Sequence, residues 1–335
     1  MNFKPIDISI IITTFNDGYY LNQVLKDISC LEYNPNKLEI LILEAGEFSA
    51  DQARILLGNY KNTLKFWHKS NLSRTAALNF LVKESTGNLV VRIDARSHIK
   101  PDYLNQIKSL SLGTKAANVG GVILPIGLSN EQKKIARFML HPLAFGGAKF
   151  RKLSYVGEVD SVYLGAFNKL LMPPQPWFDE LHSKISEDSD LNFRIRRDGQ
   201  KIIVDSSIIV EHYPRETAKS FFKLCYNYGL GRGLFFLKNK QFSAVRQLFF
   251  PLAFLIAIFL FCAGFIVPTF HLYLAAGSLI YFLIIFSSAY NLSSNLLRDM
   301  FFYLKLFAGC HFFWTLGFFI SPIPFFTSLI KEKIK

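Results

Sequence analysis

The sequence predicts an α/β chain in which an N-terminal domain, built on a mostly parallel central sheet, precedes C-terminal transmembrane helices. Three observations predict it. Short β-branched runs alternate with segments of helical periodicity from Ile6 to Leu110. Three long uncharged apolar stretches occupy the C-terminal quarter. A strongly basic segment lies directly before them.

The run Ile6–Thr13 becomes continuously β-branched, which suits a strand buried on both faces. Asn16-Asp17-Gly18 punctuates it, and Tyr19–Ser29 then places Leu21, Val24, Leu25 and Ile28 at helical spacing. The pattern recurs. Leu38–Leu43 reads as a strand and residues 50–60 as a helix; Thr63–Trp67 and Leu72–Glu84 repeat the pair, as do Asn88–Ile93 and Pro101–Leu110. Such alternation argues a sheet covered on both faces, with ligands at the carboxyl ends of its strands. Between Ala117 and Asp179 the strands shorten and glycine becomes frequent. Glu187–Arg197 reads as a helix closed by Asp198-Gly199, with Ser186 able to cap it, and Lys201–Val204 as a returning strand. Phe221–Gly229 reads as an amphipathic helix near a bilayer surface.

Half of the 335 residues are hydrophobic, only 19% are charged, and mean hydropathy is +0.23. The excess is local: Leu248–Val267 runs 20 residues without a charge, Leu272–Tyr290 runs 19 and Leu306–Ile330 runs 25. A hydrocarbon core about 30 Å thick asks for roughly 20 apolar residues per helix. Three such stretches leave a soluble fold little surface to present. Net charge is +13, and Arg215–Arg246 carries seven Lys/Arg against the single acid Glu216. Positive charge beside a membrane helix marks the cytoplasmic side and attracts anionic membrane lipids. No aromatic-and-basic recognition module surrounds it, so nucleic acid is excluded as the partner. The expected organisation is a water-facing domain over residues 1–214, a basic amphipathic juxtamembrane segment over 215–246, and a membrane domain over 247–335 with three spans. The start of the chain has no signal-peptide pattern, and Cys30, Cys225, Cys262 and Cys310 show no metal or disulfide spacing. A multi-pass protein of the plasma (inner) membrane, with its N-terminal domain in the reducing cytoplasm, is the expectation.

Acidic residues mark the candidate chemistry. Glu44 and Asp94 each end a buried run where a parallel sheet opens to ligand. They either cap the turns that follow or converge on a bound molecule. Glu187, Asp188 and Asp190 crowd the first turn of a helix. The helix dipole accounts for one or two of them, and a rigidly held carboxylate there also suits a general base. No G-x-x-x-x-G-K-[ST] loop and no Ser–His or Cys–His arrangement is evident.

The ordered set of motifs resembles family 2 glycosyltransferases of the GT-A fold, and among them the bacterial membrane-bound enzymes of succinoglycan and other exopolysaccharide assembly. The resemblance covers roughly residues 7–235. It rests on Ser9–Asn16; on Glu39–Leu43 with Glu44-Ala45-Gly46; and on Ala76–Asn79, Gly87-Asn88, Val91–Ala95 and Pro101–Leu104. Val159–Phe167 with Phe178–Glu180, Glu187–Arg194, Tyr213–Arg215 and Tyr228–Arg232 complete it.

The resemblance implies a site residue by residue. Thr14 and Glu44 would lie at the nucleotide, Glu44 at a position usually held by an aspartate contacting the base. Asp94 would bind a divalent cation, Mg²⁺ or Mn²⁺, bridging the donor's diphosphate. Asp188 would be the catalytic base, with Asp160, Glu187 and Asp190 on the acceptor side. Arg96 stands where the metal motif often has aspartate or histidine, and an arginine there can neutralise diphosphate directly. The Gln-x-x-Arg-Trp element of processive synthases is missing, which implies one transfer per encounter. The implied activity is inverting transfer of a sugar from a nucleotide-diphosphate sugar to a polyprenyl-linked or other lipid-linked acceptor, with possible polysaccharide assembly partners. The alternative is a weak or inactive nucleotide-sugar-binding partner in a membrane assembly complex, with Glu44 and Arg96 as signs of decay.

Overall fold

The computed structural model describes residues 6–182, 186–242, 245–294 and 296–334. Contacts divide the chain into two compact units: Met1–Ile126 with Gly146–Tyr213, and Gly127–Phe145 with Pro214–Lys335.

The first unit is a mixed sheet with helices on both faces. Its elements in chain order begin β1 (Ile8–Thr14), α1 (Gly18–Ser29), β2 (Leu38–Glu44), α2 (Ala50–Leu57), β3 (Leu64–His68) and α3 (Arg74–Glu84). There follow β4 (Leu89–Arg92), β5 (Ser97–His98), α4 (Tyr103–Thr114) and β6 (Asn118–Pro125). The helix α5 (Asn130–Met139) belongs to the second unit; the first resumes with β7 (Gly157–Glu158), β8 (Tyr163–Asn168), α6 (Glu187–Arg197) and β9 (Ile202–His212).

The sheet runs β3-β2-β1-β4-β8-β6-β9-β5, with β7 paired to β9. Strands β3, β2, β1 and β4 are parallel; β8 is antiparallel to both its neighbours, and β9 runs parallel to β6. The β-branched runs behave as their composition demands. Every residue of β2 is buried, and alternate residues of β1 feed opposite cores. Ile8, Ile10 and Ile12 meet α1, α2 and α4, whereas Ile11 faces α3 and α6. The chain steps from β1 to β2 to β3 on one side, and then returns to place β4 on the other side of β1. The reversal opens a crevice at the carboxyl ends of β1 and β4, where open sheets of this kind bind ligands.

Differences from the sequence reading are local. Helix α2 stops at Leu57, because Gly58 adopts φ +53° and the chain tightens into a 3₁₀ turn. Strand β9 extends far beyond Val204, to His212, since β6 and β5 pair with its second half. Ser186 does not cap α6: it sits at φ +71° with no side-chain capping bond, and its carbonyl accepts the Ser189 and Asp190 N–H groups instead.

The second unit joins α5 to α7 (Ala218–Asn239), α8 (Phe249–Gly264), α9 (Thr269–Leu292), α10 (Leu296–Ile320) and α11 (Pro322–Ile334). Two stretches are long and apolar enough to cross a bilayer, Thr269–Leu292 and Leu297–Ser328. The first expected span is shorter than its composition suggested: the 16 residues of α8 reach about 24 Å at 1.5 Å per residue. The third is broken near Ser321, where Pro322 begins α11 at the position that dispenses with a proline N–H.

Helix α7 runs alongside α10 in the same direction, which the expectation of a surface-lying helix did not anticipate. Glycine makes this approach possible. A Cβ at Gly229 would strike the Trp314 carbonyl, one at Gly233 would strike Ser321, and one at Gly317 would strike the Tyr226 carbonyl. The i, i+4 pair Gly229 and Gly233 thus forms the small-residue face that lets two helices meet backbone to backbone. Between them Cys225 Sγ lies 3.4 Å from Cys310 Sγ as a pair of free thiols. Gly229→Leu should therefore destabilise the second unit by roughly 1–3 kcal/mol through overpacking. Thermal unfolding of detergent-solubilised protein reads this as a lower Tm, and an unchanged Tm would mean the helices tolerate separation.

Candidate active site

Two groups of polar side chains occupy the crevice. The first lies at the ends of β1, β2 and β3, where Thr14, Glu44 and His68 stand side by side in register. The turn after β1 carries Asn16 at φ +53°, and Gly46 lies so close to it that a Cβ would strike both Asn16 and the Glu44 carboxylate. This tight pair of loops folds around Glu44. Its Oε1 accepts the Gly46 N–H at 2.6 Å, but its Oε2 and the Thr14 hydroxyl are buried without a well-formed hydrogen bond. Burial raises the Glu44 pKa, and the N–H of Gly46 offsets that only in part. Buried polar atoms left unsatisfied in a crevice are what a ligand's donors would complete.

The second group is a charged hub centred on Arg92, the last residue of β4. Its Nε lies 3.0 Å from Asp94 and its Nη1 3.1 Å from Glu187 at the start of α6. Arg74, the first residue of α3, reaches the same two carboxylates at 3.2 and 3.4 Å. Burial opposes charge on Arg92, but Asp94, Glu187 and Asp188 around it hold its pKa above the ordinary guanidinium value. Burial likewise opposes charge on Asp94; Arg92 and Arg74 prevail and bring its pKa down to about 2. Glu187 is lowered by the same guanidiniums against the same opposition. Two guanidiniums thus face two carboxylates, with Asp188 on the adjoining residue of α6.

Asp188 is half-buried on the first turn of α6, where its Oδ1 accepts the Ser189 N–H at 2.8 Å. The helix is anchored from behind. Asn192 accepts from Asn118 of β6 at 2.8 Å and donates to Ser161 at 3.0 Å, all three buried. Asn79 of α3 pins the preceding strap by paired bonds to the Phe178 backbone at 2.7 and 2.9 Å. These amides hold the acid-rich turn against the sheet.

The structure therefore brings Asp94 and Glu187 together on Arg92, with Asp188 next to Glu187 on the first turn of α6, and sets Thr14 beside Glu44. Arg96 and Asp190 have partners of their own in the fold. Arg96 is bound by Asp17 at 3.0 Å and lies over the Tyr20 ring at 4.2 Å. Asp190 is fully buried and held by Arg194 at 3.1 Å, so it braces α6 from within and does not face the crevice. Asp160 is half-buried on the segment entering β8, next to Ser161. Arg74, Arg92 and His212 had no role in the sequence reading. His212 ends β9, shares a 2.8 Å hydrogen bond between its Nδ1 and Tyr163 Oη, and lies close enough to act on the Asp94 carboxylate.

Among the described residues no three His, Cys, Asp or Glu side chains converge as a protein cage for a metal. A hard divalent cation does not need one: Mg²⁺ retains waters and takes one or two carboxylates together with substrate phosphates. Asp94 at the end of the sheet, with the His212 imidazole beside it, offers such a partial donor set of one carboxylate and one ring nitrogen.

Residues 9–168 match the family model described as Glycosyl transferase family 2. That segment holds Thr14, Glu44, Arg74, Arg92, Asp94, Arg96 and Asp160, while α6 lies beyond it. A curated relative from Methanococcus voltae, a dolichyl N-acetyl-alpha-D-glucosaminyl phosphate 3-beta-D-2,3-diacetamido-2,3-dideoxy-beta-D-glucuronosyltransferase, is 25% identical over 71% of this chain and 75% of its own. The succinoglycan biosynthesis protein ExoA of Rhizobium meliloti is 25% identical over 73% of this chain and 74% of its own. Among solved structures, a mannosyltransferase of Pyrobaculum calidifontis, in complex with GDP-Man and Mn²⁺, superposes with a TM-score of 0.60. It covers 95% of this chain and 90% of its own at 15% identity, a likeness of fold. Residues 9–168 carry a glycosyl transferase family 2 domain, the fold is GT-A, and the chain resembles enzymes of exopolysaccharide assembly.

Proposed function

We propose that the protein moves a sugar from a nucleotide-diphosphate donor to a lipid-linked saccharide acceptor, by single displacement with inversion, in cell-surface polysaccharide assembly. The observation that carries the reading is that Arg92 ties Asp94, from the sheet, to Glu187, the residue of α6 that precedes Asp188. In this reading Thr14 and Glu44 receive the nucleoside through their unsatisfied oxygens. Asp94, with His212 beside it, would hold a divalent cation, which would supply charge neutralisation to the diphosphate leaving group. Asp188 accepts the acceptor hydroxyl's proton as that oxygen bonds to the anomeric carbon, and the nucleoside diphosphate departs with the electron pair. Arg92 and Arg74 hold the Asp94 and Glu187 carboxylates, and through Glu187 they fix the turn of α6 that carries Asp188.

A lipid-linked acceptor is supported by the Methanococcus voltae relative, whose name specifies a dolichyl phosphate-linked sugar. It is also supported by the two long apolar helices. The protein is then a multi-pass plasma-membrane enzyme with residues 1–214 in the cytoplasm, the basic segment 215–246 against anionic headgroups, and 247–335 in the bilayer.

The test is nucleoside diphosphate release by the purified full chain across a panel of nucleotide sugars, with an acceptor-free control for donor hydrolysis. EDTA should abolish release, Mg²⁺ or Mn²⁺ should restore it, and Asp94→Asn should weaken metal-dependent donor binding. Full activity in EDTA, together with its loss in Arg96→Ala, would transfer charge neutralisation from the cation to that arginine.

A further inference from the structure

Within the second unit, one face of α7 and one face of α10 enclose a groove of about 510 Å³. Lys219 and Lys223 on α7 and Lys305 on α10 precede Tyr226, Phe313 and Leu316 along their helices, with Phe222 between the two α7 lysines. The order follows from helical spacing, since Lys219, Phe222, Lys223 and Tyr226 fall at i, i+3, i+4 and i+7. Because α7 and α10 run in the same direction, Lys219 and Lys223 in the first two turns of α7 lie on the same side of Tyr226 and Phe313 as Lys305 within α10. The Phe222 ring lies over Gly309, where a Cβ would strike it, and stacks on Phe313 at 5.4 Å. The apolar floor is thereby built by the close helix approach.

The three lysines are exposed and form no ion pair among the described residues. Three uncompensated ammonium groups at the mouth of an aromatic groove match a molecule with an anionic head and a long apolar tail. Beyond Lys305, α10 carries no charge through Ile320, so a tail following the groove would continue along helix surface of bilayer character. A second basic cavity, lined by Lys133, Lys134, Arg137 and Arg298, lacks this division, and its Lys134 is already neutralised by Asp299 at 2.5 Å.

We propose that the groove seats the phosphate-bearing lipid of the acceptor, with Lys219, Lys223 and Lys305 on the phosphate and Phe222, Tyr226, Phe313 and Leu316 on the first part of the chain. This rests on the reading of the protein as a transferase to a lipid-linked acceptor. The lysines are compact charges suited to a phosphate or diphosphate that also faces water.

The test uses the full chain in phosphatidylcholine nanodiscs, with fluorescent farnesyl phosphate as the probe. Saturable binding is expected, with affinity about tenfold or more weaker in the triple variant Lys219→Gln/Lys223→Gln/Lys305→Gln. Farnesol should not compete, nor should inorganic phosphate at the same concentration, because each supplies half of the ligand. Displacement by equimolar phosphatidylglycerol would assign the groove to bulk anionic lipid, and unchanged affinity in the triple variant would remove the lysines from any site; either result overturns the proposal. Donor hydrolysis without acceptor serves as the independent readout and should be the same in the triple variant as in the wild type. Its absence from the wild-type protein would count against the transferase reading while leaving the lipid measurement intact.

Discussion

Asp188→Asn is expected to lower turnover by roughly 10²-fold or more while leaving donor affinity nearly unchanged. The side chain keeps its shape, and its Oδ1 can still accept the Ser189 N–H that the aspartate accepts at 2.8 Å. The first turn of α6 therefore persists. What disappears is a carboxylate able to take a proton from the acceptor hydroxyl. Asp190→Asn is the informative companion. Asp190 is buried and paired with Arg194, so that change should lower the Tm and leave kcat per folded molecule close to wild type. Glu187 is a poor substitute base, because its carboxylate is already shared by Arg74 and Arg92. Comparable turnover in Asp188→Asn, measured at saturating donor with an acceptor-dependence control, would exclude Asp188 as the base.

The parts legible in the sequence are those governed by local pattern. Residues 38–44 are buried along the whole strand, and an uninterrupted apolar run bounded by turn residues is how such a strand must be written. Glu44 and Asp94 were legible as site residues because parallel sheets open at their carboxyl ends. The acid-rich turn at Glu187 was legible as well, but the separate duties of its three carboxylates were not. Asp188 stands at the crevice, Glu187 at the guanidiniums and Asp190 inside the fold, and helical phase with tertiary packing decides which is which. The hub cations left signals that were present but unread. Arg74 puts a positive charge in the first turn of a helix, against the dipole, and Arg92 ends a strand otherwise buried among aliphatic residues. Each position is costly alone and is explained by a carboxylate that sequence spacing cannot locate. Arg96 shows the converse: its place in a motif suggested diphosphate, and the structure ties it to Asp17 and Tyr20. The parallel contact of α7 with α10 depends on Gly229, Gly233 and Gly317 lying opposite backbone, which only the folded chain reveals.

Arg92→Met should be the most destabilising single change in the first unit, by about 3–5 kcal/mol, because it leaves buried carboxylates without their shared cation. Arg74 remains, but it is the more exposed partner, and its contact with Glu187 is 3.4 Å, longer than the 3.1 Å from Arg92. The pH dependence distinguishes this from ordinary loss of packing. In the wild type the folded pKa of Asp94 is about 2, below its unfolded value of roughly 3.9. Its contribution, about 2 kcal/mol, is fully present above about pH 4 and is lost as pH falls toward 2. Without Arg92, burial acts on Asp94 and Glu187 with less opposition, and their folded pKa values move up. A carboxylate raised above its unfolded value stabilises the fold only when protonated, so the variant should recover stability on acidification from about pH 7 to about pH 4.5. Thermal unfolding in detergent should therefore show a wild-type Tm nearly flat across that interval and a variant Tm that climbs as pH falls. Arg92→Lys should restore part of the Tm and less of the turnover, since an ammonium cannot hold two carboxylates in fixed geometry as a guanidinium does. A Tm deficit in Arg92→Met that is the same at both pH values would show that the side chain acts there by volume, and the electrostatic account of the hub would fail.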